Sequence, residues 1–216
     1  MKTLVFIGLF AAILTSCSKE QLEANGNKIT ELRTPGTFDG VSSSGSNRVY
    51  ITQGEGFHVE LRGSSNLISS FETKVRGNTL ELGYKNGSVS DDDIEVYITM
   101  PELEFLALTG SGEMSVRGGF PAQDKFNLRI SGSGDINLYD ELEVKNADID
   151  LSGSGKAELE NLLAENADID ISGSGDVTIS VSAHLRSRIS GSGQVFYKGN
   201  PELDSKVTGS GKVVKF

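Results

Sequence analysis

Apolar and polar side chains alternate through the second half of the chain. Leu128 and Ile130, Ile149 and Leu151, and Ile169 and Ile171 each stand two apart, just ahead of a short glycine–serine segment. Beyond that segment the alternation resumes, in Ile136 and Leu138, Ala157 and Leu159, and Val177 and Ile179. A period of two places one set of side chains on one face, so these are strands with that face on a core. Helical spacing is not sustained anywhere after residue 37, and β-branched residues are plentiful, so the chain is expected to be all-β. Between 37 and 107 the strands are less regular. Val49 and Ile51, then Val59 and Leu61, flank Gln53-Gly54-Glu55-Gly56, which reads as a hairpin turn. Val75 and Leu80-Leu82 flank Arg76-Gly77-Asn78, and Ile94, Val96 and Ile98 precede Met100-Pro101.

The glycine–serine segment is the same each time. The tetrapeptide [Ser/Thr]-Gly-Ser-Gly begins at Thr109, Ser131, Ser152, Ser172, Ser190 and Thr208, at spacings of 22, 21, 20, 18 and 18 residues. Self-similarity at such a period marks a solenoid. Strands on either side of a fixed corner, stacked about 4.8 Å apart, make a parallel β-helix with about 18–22 residues per coil. Region 37–107 is then an antiparallel β capping region, and Ser44-Gly45-Ser46-Asn47 reads as a worn copy of the corner. The corner glycines are Gly110 and Gly112, Gly132 and Gly134, Gly153 and Gly155, Gly173 and Gly175, Gly191 and Gly193, and Gly209 and Gly211. Stacked coils need one backbone corner at every level, and a positive φ there favours glycine. The serine column of 111, 133, 154, 174, 192 and 210 can bond nearby backbone or the next hydroxyl in the stack. A phosphate cradle would need one such loop opening a helix, with a lysine aimed at the phosphates. Six loops leading into strands are architecture, and the period does not fit the nine-residue calcium β-roll.

The first segment is of another kind. Lys2 precedes an apolar run from Leu4 to Leu14, too short to span a bilayer and suited to a signal peptide over 1–16. Leu14-Thr15-Ser16-Cys17 looks like a bacterial lipobox, which makes Cys17 the expected lipidation site. Cys17 is the single cysteine, so no intrachain disulfide can form. Residues 17–36 read as the lipidated cysteine and a flexible polar tether, ending at Pro35-Gly36. Residues 37–216 then form one domain, with 37–107 irregular and 108–216 repeated. The expected localisation is an exported lipoprotein of the outer membrane, facing the periplasm or the surface.

A net charge of −10 argues against nucleic acid as a partner and against charge-driven adsorption to an anionic membrane. Membrane contact is expected through the lipid alone. Stacking also lines up outward positions. Two residues before the corner the column reads Ala107, Arg129, Asp150, Asp170, Arg188, Lys206; four before, it reads Phe105, Asn127, Asp148, Asp168, Arg186, Asp204. Asp148, Asp150, Asp168 and Asp170 should therefore form a square of carboxylates, although like charges opposed on a sheet are unfavourable. Three readings are open. The arginines neutralise the square as a surface ion-pair ladder; the square holds a hard cation such as Ca²⁺; or paired carboxylates act as general acid and base on a glycan. No other cofactor is implied. His58 and His184 read as solvated or satisfied histidines, and no nucleophile elbow or serine triad can be assembled. With no Trp, and most Phe and Tyr in strand positions, no dedicated lectin platform is visible.

Phe38-Asp39-Gly40-Val41, the valine-rich strands, Pro101-Glu102-Leu103 and the repeated Gly-Ser-Gly turns together resemble the head GIN domain family. Its members carry an autotransporter-adhesin label and are common among secreted and lipid-anchored Bacteroidetes proteins. The resemblance covers roughly 37–216 and implies a β-helical domain; it brings no catalytic residues. The expected function is a non-enzymatic envelope or surface module with a structural or binding role towards a glycan or protein. The alternative is a carbohydrate-active enzyme using the aspartate face. The last segment, Lys212-Val213-Val214-Lys215-Phe216, leaves an edge that either its lysines protect or a homo-oligomer covers.

Overall fold

The computed structural model describes residues 21–85 and 89–216. The signal peptide expected over 1–16 and the expected lipidation site Cys17 lie outside them. Strands pair in parallel register into a solenoid, as the repeat predicts. One face, here face A, runs up to each corner. It stacks Gly40–Gly45, Phe105–Gly110, Gln123–Gly132, Leu142–Gly153, the second halves of Lys156–Gly173 and Asp176–Gly191, and Glu202–Gly209. Face B leaves the corner and stacks Arg48–Gln53, Glu113–Arg117, Asp135–Leu138, the first halves of the two long strands, Gln194–Lys198 and Lys212–Lys215. A short third side joins them where Leu162 and Ala164 lie beside Leu142 and Val144.

The register is the one that the alternation implies. Leu128 lies beside Ile149 and Ile149 beside Ile169; Ile136 lies beside Ala157 and Ala157 beside Val177. All these side chains are buried. Each corner of the repeats turns on two glycines whose Cβ would meet the carbonyl of the preceding rung, and the first also has a backbone conformation that favours glycine. The first has φ between 113° and 133° from Gly110 to Gly209, a region that side chains avoid. The second, as at Gly155, lies so close to the carbonyl of the glycine before it in the stack that a Cβ would overlap it. The carbonyls are also hydrogen-bonded: the amides of Ser133, Ser154, Ser174 and Ser192 each donate to a corner glycine of the preceding rung at 2.8 Å. The serine column is therefore tied by its backbone, and its hydroxyls are exposed.

Ser44-Gly45-Ser46-Asn47 is a seventh corner. Gly45 lies beside Gly110 and has φ 125°. At this end Thr79–Tyr84 and Glu95–Met100 extend the two faces in parallel, and antiparallel strands close them off. Phe71–Arg76 covers face A; His58–Ser64 and then Lys28–Arg33 cover face B. The six-residue helix Ser65–Ser70 puts Leu67 and Ile68 into the core beneath them.

Three expectations need correction. Region 37–107 is not antiparallel throughout: Gly40–Gly45, Arg48–Gln53, Thr79–Tyr84 and Glu95–Met100 pair in parallel, because they continue the stacked coils on either side of the corner at 44–47. Residues 48–53 and 58–64 do not form a hairpin: Ile98 sits between them, beside Ile51 on one side and Val59 on the other. Local turn chemistry could not reveal that a strand 40 residues downstream inserts there. Nor is the whole of 17–36 a tether, because Leu22–Glu23 and Lys28–Arg33 are strands. The second is held by backbone pairing and by Arg33, whose guanidinium donates to the carbonyls of Phe71 at 2.6 Å and Ile68 at 2.8 Å. Leu32 remains 74% exposed. A strand that buries no apolar stripe leaves no periodic signal.

Candidate functional site

Face A presents the two outward columns in the expected register. Arg129 lies beside Asp150, Asp150 beside Asp170, and Asp170 beside Arg188 and then Lys206. Asn127 lies beside Asp148, Asp148 beside Asp168, and Asp168 beside Arg186 and then Asp204. Asp148, Asp150, Asp168 and Asp170 are thus brought together as neighbours on one exposed sheet face.

Their partners divide them. Arg129 Nε lies 3.3 Å from Asp150 Oδ2. Arg186 reaches over Asp168 and binds both its oxygens. Asp148 and Asp170 make no ion pair among the described residues. The square is therefore half neutralised, at its diagonal, by arginines one rung outside it. Among the described residues no cluster of His, Cys, Asp and Glu has the arrangement of a metal site. A pleated face points its carboxylates outward in parallel, whereas Ca²⁺ needs six to eight oxygens turned around one point. Glycoside hydrolysis in turn needs a pair of carboxyl groups flanking one bond, one of them to protonate the leaving oxygen, and two of these four are already held by arginine.

The same columns shape two shallow grooves. The larger, of about 690 Å³, follows the corner from Phe105 to Thr208. One wall is the column of Arg129, Asp150, Asp170, Arg188 and Lys206, and its length carries the Ser/Thr hydroxyls 109, 131, 152, 172, 190 and 208. Six rungs at about 4.8 Å give it a run of about 24 Å. The smaller groove, of about 410 Å³, lies on the other flank of the same face, along Asp148, Asp168 and Arg186. There Asn166 Nδ2 donates to Asn146 Oδ1 at 3.3 Å, an amide ladder one column further out.

Other candidates resolve simply. His58 and His184 are both exposed, and His184 Nδ1 lies 3.4 Å from Glu202. Two tyrosines lie in strands, as the sequence suggests, and face outward on face B. Tyr50 and Tyr97 stack with ring centroids 4.8 Å apart, and Arg62 covers the far face of Tyr97 at 4.2 Å. Counting forward from the worn corner at 44–47, as for the other corners, reveals Tyr50, since that register sets it beside Ser115 in an outward column. Their ring faces are largely taken up within the protein.

A network at the capped end was not foreseen. Asn47 stands where other corners have their second glycine, and its Nδ2 donates to Asp92 Oδ2 at 2.7 Å. Tyr84 donates to Asp92 Oδ1 at 2.6 Å. Burial, and then that hydrogen bond, push the Tyr84 hydroxyl well above its usual pKa. Beside it Asp93 accepts from the amide and hydroxyl of Ser64, both at 2.8 Å, with Lys28 at 3.4 Å. Burial works against the charge, but the Ser64 bonds and Lys28 outweigh it and hold the carboxyl below its ordinary range. These groups lock the cap.

Fold and face together define a parallel β-solenoid with a groove of about 690 Å³ along its corner. Residues 37–201 match the family described as "Putative auto-transporter adhesin, head GIN domain", and the chain belongs to that family. The solved structures agree on the fold. A "putative adhesin" from Bacteroides fragilis is 20% identical, with a TM-score of 0.71 over 90% of this chain and 100% of that one. A "putative lipid binding protein" from Parabacteroides distasonis is 21% identical, with a TM-score of 0.60 over 91% and 100%. A "putative adhesin" from Parabacteroides merdae is 19% identical, with a TM-score of 0.56 over 91% and 99%. No functionally curated protein matches the sequence.

Proposed function

We propose that the protein is an exported, lipid-anchored binding module of the cell envelope, held to the outer membrane through Cys17, and that it works without catalysis. The observation that carries the reading is the corner groove, open along its length and lined on successive rungs by a Ser or Thr hydroxyl and an apolar side chain. Beside it runs a column in which two aspartates stand between Arg129 on one side and Arg188 and Lys206 on the other. Such a surface offers the same hydroxyl at every rung of about 4.8 Å. It suits an extended polar polymer with its own repeat, a glycan strand above all, gripped by hydrogen bonds along the groove and by Arg188 and Lys206 towards one end. The family's adhesin label fits a regular surface carried clear of a membrane. The two ion-paired aspartates favour binding over bond cleavage, because a carboxylate held by an arginine is poorly placed to give up or take a proton as a general acid or base.

Two measurements test the proposal together. Protease or biotin labelling of intact cells should reach the protein; complete protection would remove adhesion to external ligands. Extended oligosaccharides on an array should bind the protein, and Arg188→Ala should weaken binding at least about tenfold, the loss expected for a charge-assisted hydrogen bond. Binding that Arg188→Ala leaves unchanged would place the ligand elsewhere than in the groove.

A further inference from the structure

The last rung differs from every other. In Asp176–Gly191 the inward side chains Leu185 and Ile189 are 1% and 2% exposed. Their counterparts in Glu202–Gly209, Leu203 and Val207, are 41% and 39% exposed. Among the described residues this strand pairs on one side only, with Asp176–Gly191. Its other edge presents unpaired backbone groups and half-covered core side chains, which ordinarily recruit another strand.

The sequence of that edge is self-complementary. Inward positions are Leu203, Ser205 and Val207; outward positions are Glu202, Asp204, Lys206 and Thr208. A second copy laid antiparallel, with the two-fold axis at Ser205, sets Asp204 opposite Lys206 of the other copy, twice. The same axis sets Leu203 opposite Val207 twice and Ser205 opposite itself. Moving the axis one residue either way opposes Lys206 to itself or Asp204 to itself, which is unfavourable directly across a sheet. One register thus satisfies charge outside and apolar contact inside. Face B does not compete, since Lys212–Lys215 begins and ends in lysine, and Lys198 stacks over Phe216 at 5.1 Å. Its lysines repel a second copy, as edge lysines commonly do.

We infer that Glu202–Gly209 is a homodimer interface, in which two copies join tail to tail through antiparallel pairing centred on Ser205. The contact is isologous and closes on itself, so it stops at two copies. It also carries the outward charge column past Lys206 onto Asp204 and Arg186 of the second copy, while Thr208 of the corner meets Glu202 of that copy, whose own corner lies at the far end of the strand.

Sedimentation equilibrium of the full chain, with and without exchange of the two charges, tests this. The unaltered chain should reach a dimer whose dissociation constant rises at least about tenfold in Lys206→Asp, because two attractive pairs become repulsive. Asp204→Lys should act alike, and the double exchange Asp204→Lys with Lys206→Asp should restore dimerisation to within about threefold. Both side chains are exposed, so melting of the monomer should stay unchanged and report intact folding. A chain that stays monomeric, a dimer indifferent to the single substitutions, or open-ended polymers would each overturn the inference. So would a failure of the double exchange to rescue.

Discussion

Two corners of the same shape carry very different burdens. Gly45 at the capped end and Gly153 in the repeats have φ of 125° and 127°. A Cβ on Gly45 would meet only Asn47 Oδ1, at 3.3 Å. A Cβ on Gly153 would overlap the carbonyl of Gly132. The difference is whether a coil lies against the corner on that side. In the repeats the backbone itself is the packing surface, and the apolar filling is thin, with Ala147, Ala157, Ala164 and Ala167 in the core. In the cap the core is built of large side chains such as Leu67, Ile68, Phe71 and Met100, and its corner is held by polar side chains.

The comparison is broken most directly by giving each corner a methyl group. Gly153→Ala should cost about 4 kcal/mol or more, because strain in φ adds to a backbone clash that no rotamer relieves. Gly45→Ala should cost about 1–2 kcal/mol, the conformational part alone. Denaturant unfolding of the two variants measures both. Equal losses would show that stacking contributes nothing to the requirement for glycine.

The cap should fail in its own way. Removing the carboxylate in Asp93→Ala should cost about 2 kcal/mol, as the amide and hydroxyl of Ser64 lose a charged acceptor. Because the folded pKa of Asp93 is depressed, its contribution is complete above the ordinary value of about 3.9. It is lost as pH falls through the lowered folded value. Hydrogen exchange across this acid range should therefore find the strands around Ser64 loosening in the unaltered chain, and the pH dependence there should shrink in Asp93→Ala.

The smallest effect is a gain. In the core column Leu128, Ile149, Ile169 the next member is Ser187, fully buried, whose hydroxyl has no hydrogen-bond partner among the described residues. Ser187→Val should stabilise by about 1 kcal/mol, since it removes an unsatisfied hydroxyl and restores apolar packing. A rise in melting temperature would bear this out; a fall would mean that the site is too tight for a larger side chain.

Much of the repeat half was legible in the sequence, for one reason. A coil that must superimpose on its neighbours repeats its constraints, so glycine columns, core columns and outward charge columns can be aligned by counting from each corner. That counting placed the four aspartates side by side before any coordinate. It could not tell which of them Arg129 and Arg186 take, because side-chain reach depends on where each guanidinium finds space. The cap was less legible. Its strands do not repeat, Lys28–Arg33 buries no apolar stripe, and Ile98 pairs across long sequence separations with both Ile51 and Val59.

The sequence by itself determined the solenoid, its rung register and the membership of each face, since periodic alternation and obligatory glycines admit one backbone path. Only the tertiary structure decided how the two ends differ: one closed by antiparallel strands and the Asn47–Asp92–Tyr84 network, the other ending in a half-covered strand. Ends are where the repeat stops constraining its neighbours. What happens there depends on non-local pairing and on side-chain hydrogen bonds, and neither leaves a period in the sequence.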